Sequence, residues 1–335
     1  MDRTLHQSGG IFGGKVTIDD HLFPIGTAFT VGKTVRFLLT AEHTIAEAIK
    51  HEPVLDRLRT EGRLPAQADI KRAQLCVLYQ RKGADDSIEF MIWPIEHVNG
   101  APPTDVVFAY PKFVEGFPTL ATPLSFGLPS HGARVFSVGY VVEKVPADGI
   151  SLAEVKAGRF DWRQDYSHRL CVVEGVVERI FTQRFARGFV DGPCFLFDQE
   201  IDHGLSGGPV FTMDGFVCGV NTAGAALYFD AGKSLASLLY PLLPIHLKAS
   251  AQVGGLHLQF ERPLLEYIAS GSIRTDGSEQ HLGIHHEQDG SFIVSPRCTP
   301  ELLPYCHDDF SGFQSNTPAS TTDSPHHVVR FTEPH

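Results

Sequence analysis

The chain has 335 residues, enough to bury a full core, and this length fits two units or one large all-β unit with appendages. Hydrophobic residues make up 42% and charged residues 20%, an ordinary globular balance that excludes disorder of the whole chain. The formal net charge of −11, from 39 acidic and 28 basic residues with no dense Lys/Arg cluster, argues against nucleic acid or anionic membrane as partners.

Met1–Gln7 lacks the apolar core of a secretory signal. Gly9-Gly10 and Gly13-Gly14 lack the lysine and the strand–turn–helix setting of a phosphate loop, so they read as flexible. From there to about residue 221 the chain is written in short apolar or alternating runs broken by Gly, Pro, Asn and Asp, which predicts an all-β barrel or sandwich. The expected strands are Lys15–Ile18, Pro24–Val31, Val35–Thr40, Ala73–Tyr79, Ile88–Trp93, Val106–Tyr110, Arg134–Val142, Leu170–Phe181, Phe189–Phe197, Pro209–Thr212 and Phe216–Asn221. Gly83-Ala84-Asp85-Asp86 and Asp214-Gly215 read as tight hairpin turns.

One helix interrupts this pattern. Thr44 with Glu47 forms a capping box ahead of Ile45, Ala48 and Ile49, so a helix is expected over Thr44–Leu58, ended or restarted at Pro53. Prolines and glycines cluster over Pro118–Ser130, which marks the join between two β-rich halves. Lys233–Leu247 reads as a second helical stretch. Its apolar part is too short to span a membrane and is broken by Pro241 and Pro244. The expected division is therefore 1–122, 123–250, a small appendage over 251–310 and a disordered Ser/Thr/Pro/His-rich tail over 311–335.

Cys76, Cys171, Cys194, Cys218, Cys298 and Cys306 are widely scattered, the first four within apolar runs. They read as buried free thiols of a cytoplasmic chain. His281, His285, His286, His326, His327 and His335, with Cys298 and Cys306-His307, lack the paired spacing of a zinc site, so no metal or other cofactor is expected.

The chemistry is concentrated in His203-Gly204-Leu205-Ser206-Gly207-Gly208-Pro209-Val210-Phe211. Taken alone this is a glycine–serine turn before a strand. A serine nucleophile needs a histidine base, an acid to orient it and amides aimed at the developing oxyanion. Glycines on both sides of Ser206 permit the tight backbone that would turn the amides of Gly204 and Ser206 into one hole. His43, at the end of the apolar run Phe37–Ala41, and Asp105, at the start of Val106–Phe108, supply the other two members in the order His, Asp, Ser. Asp85 and Asp86 are better explained as turn residues.

With those three motifs in order, the chain resembles the chymotrypsin-fold serine peptidases, nearer their bacterial trypsin-like and HtrA-type branch. Gly26-Thr27-Ala28-Phe29 with Leu39-Thr40-Ala41-Glu42-His43, Thr104-Asp105-Val106-Val107-Phe108, and Gly204–Pro209 carry the likeness, over about residues 14–248. The resemblance implies two antiparallel six-stranded β-barrels with His43 and Asp105 on the first and Ser206 on the second. It also implies an oxyanion hole at Gly204 and Ser206. Glu200, His203, Thr222, Ala223 and Gly224 become candidate substrate-binding residues, Glu200 with a preference for basic side chains at the cleavage site and Asp202 close by. The expected partner is a peptide or protein substrate.

Two departures stand out. Leu205 occupies the position where secreted relatives carry an aspartate that pairs with a newly freed amino terminus. Cleavage before Ile11 therefore could not complete a buried ion pair here. Thr44 replaces the cysteine of the disulfide that brackets the histidine in those relatives. The competing class is a catalytically silent module of the same fold, holding an extended peptide on the edge near Asn221–Gly224. An esterase on another fold would require the order Ser, Asp, His and a strand-to-helix elbow, and neither is found.

Overall fold

The computed structural model describes residues 11–16, 20–33, 37–50, 74–82, 88–100, 102–111, 121–225, 232–253, 256–287 and 292–310. The expected turn at Gly83–Asp86, the proposed break at Pro53 and the tail over 311–335 lie outside the described residues.

The fold is all-β and chymotrypsin-like, with a few short helices. Its first sheet is built from β1 (Ile11–Val16), β2 (His21–Thr27), β3 (Phe29–Val31), β4 (Phe37–Ala41), β5 (Gln74–Lys82), β6 (Ile88–Gly100) and β7 (Val106–Pro111), in the order β3-β4-β7-β6-β5-β1-β2. β2 and β3 stand at opposite ends of that order yet are separated only by Ala28, so the continuous chain closes the ring. The second sheet uses β8 (Arg134–Lys144), β10 (Ser167–Phe181), β11 (Cys194–Phe197), β12 (Pro209–Thr212), β13 (Val217–Gly224) and β14 (Ser234–Leu238). Its order β11-β14-β13-β12-β8-β10 is closed into a six-stranded barrel by pairing of β10 with β11. The short β9 (Ile150–Ser151) crosses over to pair with β2 of the first sheet.

The residues of β4 and the first five of β7 are buried on both faces, and the period-two alternation sorts them into two cores. Leu38 and Ala109 join Val77, Tyr79 and Trp93. Phe37, Leu39, Val106, Phe108 and Tyr110 face the other way, into a large core shared with Val210, Val220, Phe195 and Leu238 of the second barrel. Each aromatic or branched side chain buried there contributes about 1.5–3 kcal/mol relative to exposure.

Residues beyond 250 belong to this shared core. Leu264 and Tyr267 of the helix Leu264–Ala269, with Ile273, Leu282 and Val294, are part of it. The Tyr267 ring meets Phe37 edge-on at 5.4 Å. Leu124, in the join between the barrels, bridges in parallel both to Val217 and to Thr275. Ser278 Oγ then accepts hydrogen bonds from the backbone amides of Phe126 (2.8 Å) and Gly127 (3.0 Å). A two-residue strand over Cys306–His307 pairs in parallel with β10.

Several sequence expectations are corrected. Lys233–Leu247 is not helical: it contains β14, a short 3-10 turn over Tyr240–Leu242 and the start of β15 (His246–Val253). β14 lies between β11 and β13 with all five residues buried, and a run apolar on both faces carries no period to separate strand from helix. Within Phe189–Phe197 only Cys194–Phe197 is strand, because Asp191-Gly192-Pro193 breaks the run. The single expected strand Pro24–Val31 is split at Ala28 into β2 and β3.

The helix expected to start at Thr44 begins at Glu42. Thr44 does not cap it; its hydroxyl donates back to the Ala41 carbonyl (2.9 Å). The first amides are met instead by Asp105, whose carbonyl accepts from Glu42 N–H (3.1 Å) and whose carboxylate accepts from His43 N–H (2.8 Å). A tertiary partner thus supplies the satisfaction that a local cap would give. The Asp214-Gly215 hairpin is found as expected between β12 and β13, with Gly215 at φ 82°.

Candidate active site

Three elements of the first barrel and one loop of the second converge. β4 ends at Ala41 and passes directly into the helix, placing His43 in its first turn. β7 pairs with β4 through Ala41↔Val106, which brings the residue before Val106, Asp105, alongside. Asp105 grips His43 with both oxygens: Oδ2 takes the ring Nδ1 at 2.7 Å and Oδ1 the backbone amide at 2.8 Å. The Asp105 side chain is 13% exposed and that of His43 37%, so the acid lies behind and the imidazole opens forward. An ionised carboxylate only accepts, so Nδ1 carries the proton and Nε2 of the neutral ring holds the lone pair.

The backbone of Ser206 is packed against the first barrel by glycines. Its carbonyl accepts from Thr27 N–H (2.9 Å). Gly26 sits between the two sides: a Cβ there would lie 3.0 Å from the Ser206 carbonyl and 3.3 Å from Thr44 Cγ2. Gly207, at φ 83°, packs still closer, where a Cβ would be 2.3 Å from the Thr27 carbonyl and 2.9 Å from Ala41 N. No side chain fits at these two glycines between the Ser206 loop and the strand leading to His43.

The loop itself is held by three consecutive carbonyls. Gly204 C=O accepts from Thr27 Oγ1 (2.8 Å), Leu205 C=O from Gly208 N–H (2.8 Å) and Asn221 Nδ2 (3.2 Å), and Ser206 C=O from Thr27 N–H. Leu205 N–H closes a turn onto Asp202 C=O (3.2 Å). Among the described residues the amides of Gly204 and Ser206 have no acceptor. Gly204 adopts φ 99°, in the left-handed region that its sequence position anticipates. Leu205 is fully buried against Gly139 of β8.

The remaining candidates divide. Thr222 is buried and turned into the barrel, its hydroxyl 2.7 Å from Ser237 Oγ. Ala223 and Gly224 continue β13 past the end of β12, with open space around Gly224. Glu200 and His203 are exposed on the loop after β11. The nearby Asp202 is engaged by Arg169, whose guanidinium also reaches Glu143, so its charge is already matched. Sequence reading passed over Thr27, Ser137 and Asn221 as supports of the loop. The one available signal was Gly139 inside the strand run Val135–Val142, which marks a close approach.

All six cysteines are free. Burial pushes the thiols of Cys76 and Cys218 up to about 12, which keeps them protonated and inert as nucleophiles. Among the described residues no cluster of three or more His, Cys, Asp or Glu could hold a metal. None of their helices is long and apolar enough to cross a membrane.

No family model matches the chain, and no curated protein matches it in sequence. Solved structures similar to it include the active form of the Rv3671c protease from M. tuberculosis, at 12% identity and TM-score 0.43 over 72% of this chain and 80% of that one. Deg5 is similar at 17% identity and TM-score 0.41, over 69% of this chain and 84% of that one. The MamO protease domain from Magnetospirillum magneticum is similar at 13% identity and TM-score 0.38, over 79% and 97%.

Proposed function

We propose that the chain is a serine endopeptidase that hydrolyses peptide bonds through an acyl-enzyme, with Ser206 as nucleophile, His43 as base and acid, and Asp105 orienting His43. The observation that carries this reading is the two-oxygen grip of Asp105 on the ring and amide of His43. Ser206 Oγ attacks the scissile carbonyl carbon and its proton passes to His43 Nε2. The imidazolium is stabilised by Asp105, and the tetrahedral oxyanion is received by the amides of Gly204 and Ser206. Collapse breaks the C–N bond as His43 protonates the leaving amine. Water then repeats the sequence on the acyl-enzyme.

The substrate backbone is read as lying along the free edge of β13 at Thr222–Gly224, flanked by His203. Glu200 gives this cleft a preference for Arg or Lys at the cleavage position. Free thiols at all six cysteines support a reducing, cytoplasmic setting.

Labelling by a fluorophosphonate probe, together with cleavage of a peptide library, tests the reading. Ser206→Ala should abolish labelling and cleavage, and Asp105→Asn should lower kcat by about 10⁴ with the fold intact. A folded wild-type protein that neither labels nor cleaves would leave the peptide-binding module in its place. Glu200→Gln should reduce cleavage after Arg and Lys while leaving cleavage after Leu unchanged.

A further inference from the structure

Of the three carbonyls that fix the nucleophile loop, the middle one shares its peptide group with the Ser206 amide. In a planar trans peptide the C=O and the following N–H point in opposite directions, so whatever holds the Leu205 oxygen also aims the Ser206 hydrogen. Two donors hold that oxygen. Gly208 N–H belongs to the same loop and moves with it. Asn221 Nδ2 belongs to β13 and is the side-chain bond from the barrel wall to this peptide.

Asn221 is fully buried and its own orientation is fixed. Its Oδ1 accepts from Ser137 Oγ on β8 (2.9 Å), and Ser137 is likewise fully buried. The Leu205 oxygen can only accept, so Nδ2 must face it, and the two ends of the amide cannot exchange. The backbone of Asn221 binds the same loop twice more. Its N–H donates to Gly208 C=O and its C=O accepts from Gly207 N–H, each at 2.9 Å. Gly208 leaves no slack, since a Cβ there would lie 2.1 Å from the Val138 carbonyl and 3.2 Å from Asn221 Nδ2.

We infer that Asn221, braced by Ser137, is a positioning residue that fixes the Leu205–Ser206 peptide plane and so directs the Ser206 amide at the oxyanion. This rests on the peptidase reading and adds to it what holds the loop in working shape without a charged amino terminus. It also ties the oxyanion amide to β13, the strand whose free end is read as the substrate edge. A merely structural asparagine would affect stability alone; a positioning one acts on the transition state more than on substrate binding.

The test uses the full chain with Asn221→Ala, the shape-conserving Asn221→Asp, which turns a carboxylate oxygen toward the Leu205 carbonyl, and Ser137→Ala. The Asn221 variants should lose about tenfold to a hundredfold in kcat, less than the loss for deleting an oxyanion donor outright, with KM changed by less than about threefold. Affinity for a peptide aldehyde, whose adduct places an oxyanion in the hole, should fall in step with kcat/KM, and Ser137→Ala should fall between wild type and Asn221→Ala. Crystal structures of Asn221→Ala and Ser137→Ala should show the Leu205–Ser206 plane rotated. A folded Asn221→Ala protein with wild-type kcat, or one whose peptide plane keeps its direction, overturns the inference. Should the wild type neither label nor cleave, the peptidase reading fails by itself, and the peptide plane in the variants still decides the role of Asn221.

Discussion

Leu205 packs against the bare Cα of Gly139: a Cβ at Gly139 would stand 2.9 Å from Leu205 Cα and 3.0 Å from its Cγ. The same Cβ would be 3.0 Å from Thr27 Oγ1, so one absent methyl group leaves room for both the hydrophobic plug and the hydroxyl that holds Gly204. Gly139→Ala should therefore displace the loop as well as strain the barrel. We expect about 1–3 kcal/mol of lost stability from overpacking, and a fall in kcat larger than any change in KM. Denaturant titration alongside steady-state kinetics checks it, and an unchanged kcat would mean that the loop absorbs the methyl group elsewhere.

Thr27 links the barrels through one hydroxyl, which accepts from Tyr140 N–H (2.9 Å) and donates to Gly204 C=O. Thr27→Val keeps the shape and strands both groups. This should cost about 1–3 kcal/mol, while Thr27→Ser should restore most of it. Thermal unfolding of the two variants side by side gives the comparison.

Ser278 satisfies two backbone amides of the join between the barrels. Its replacement by Ala should leave both without an acceptor and destabilise the protein by about 1–3 kcal/mol. Hydrogen exchange should show faster exchange at Phe126 and Gly127 than in the wild type. Protection equal to wild type would show that another group takes over the role.

His168 lies between the rings of Tyr140 and Tyr166, and desolvation pulls its pKa down to about 4 against a weaker opposing pull from Glu143. Between about pH 4 and pH 6.5 the unfolded chain binds a proton there that the folded one does not. Stability from this group is therefore complete above pH 6.5 and falls as the pH drops toward 4. His168→Phe should flatten that part of the pH–stability curve. Denaturation midpoints measured above pH 7 and again inside the window should differ less in the variant than in wild type.

The places of His43, Asp105 and Ser206 on the fold were legible in the sequence because they are set locally. His43, Asp105 and Ser206 each sit at a strand end or in a glycine loop, and a short string of neighbours sets each position. Strands with one wet face were legible for the same reason. Lys233–Leu247 misled because β14 is dry on both faces, and Thr44 misled because Asp105, 62 positions from His43, meets the helix amides instead. The loop supports escaped because their partners are distant: Thr27 reaches Gly204 across 177 positions and Ser137 reaches Asn221 across 84. No local pattern announces such pairs.

The double bridge at Leu124, to Val217 and to the much later Thr275, has a consequence for the order of events during synthesis. His43, Asp105 and Ser206 are all translated before the segment carrying Thr275 and Ser278. A nascent chain halted near Pro263 would hold His43, Asp105 and Ser206, yet the join between its barrels would lack the bridge to Thr275 and the hydroxyl that ties Phe126 and Gly127. The join between the barrels is thus completed only after the segment carrying Thr275 and Ser278 has been made.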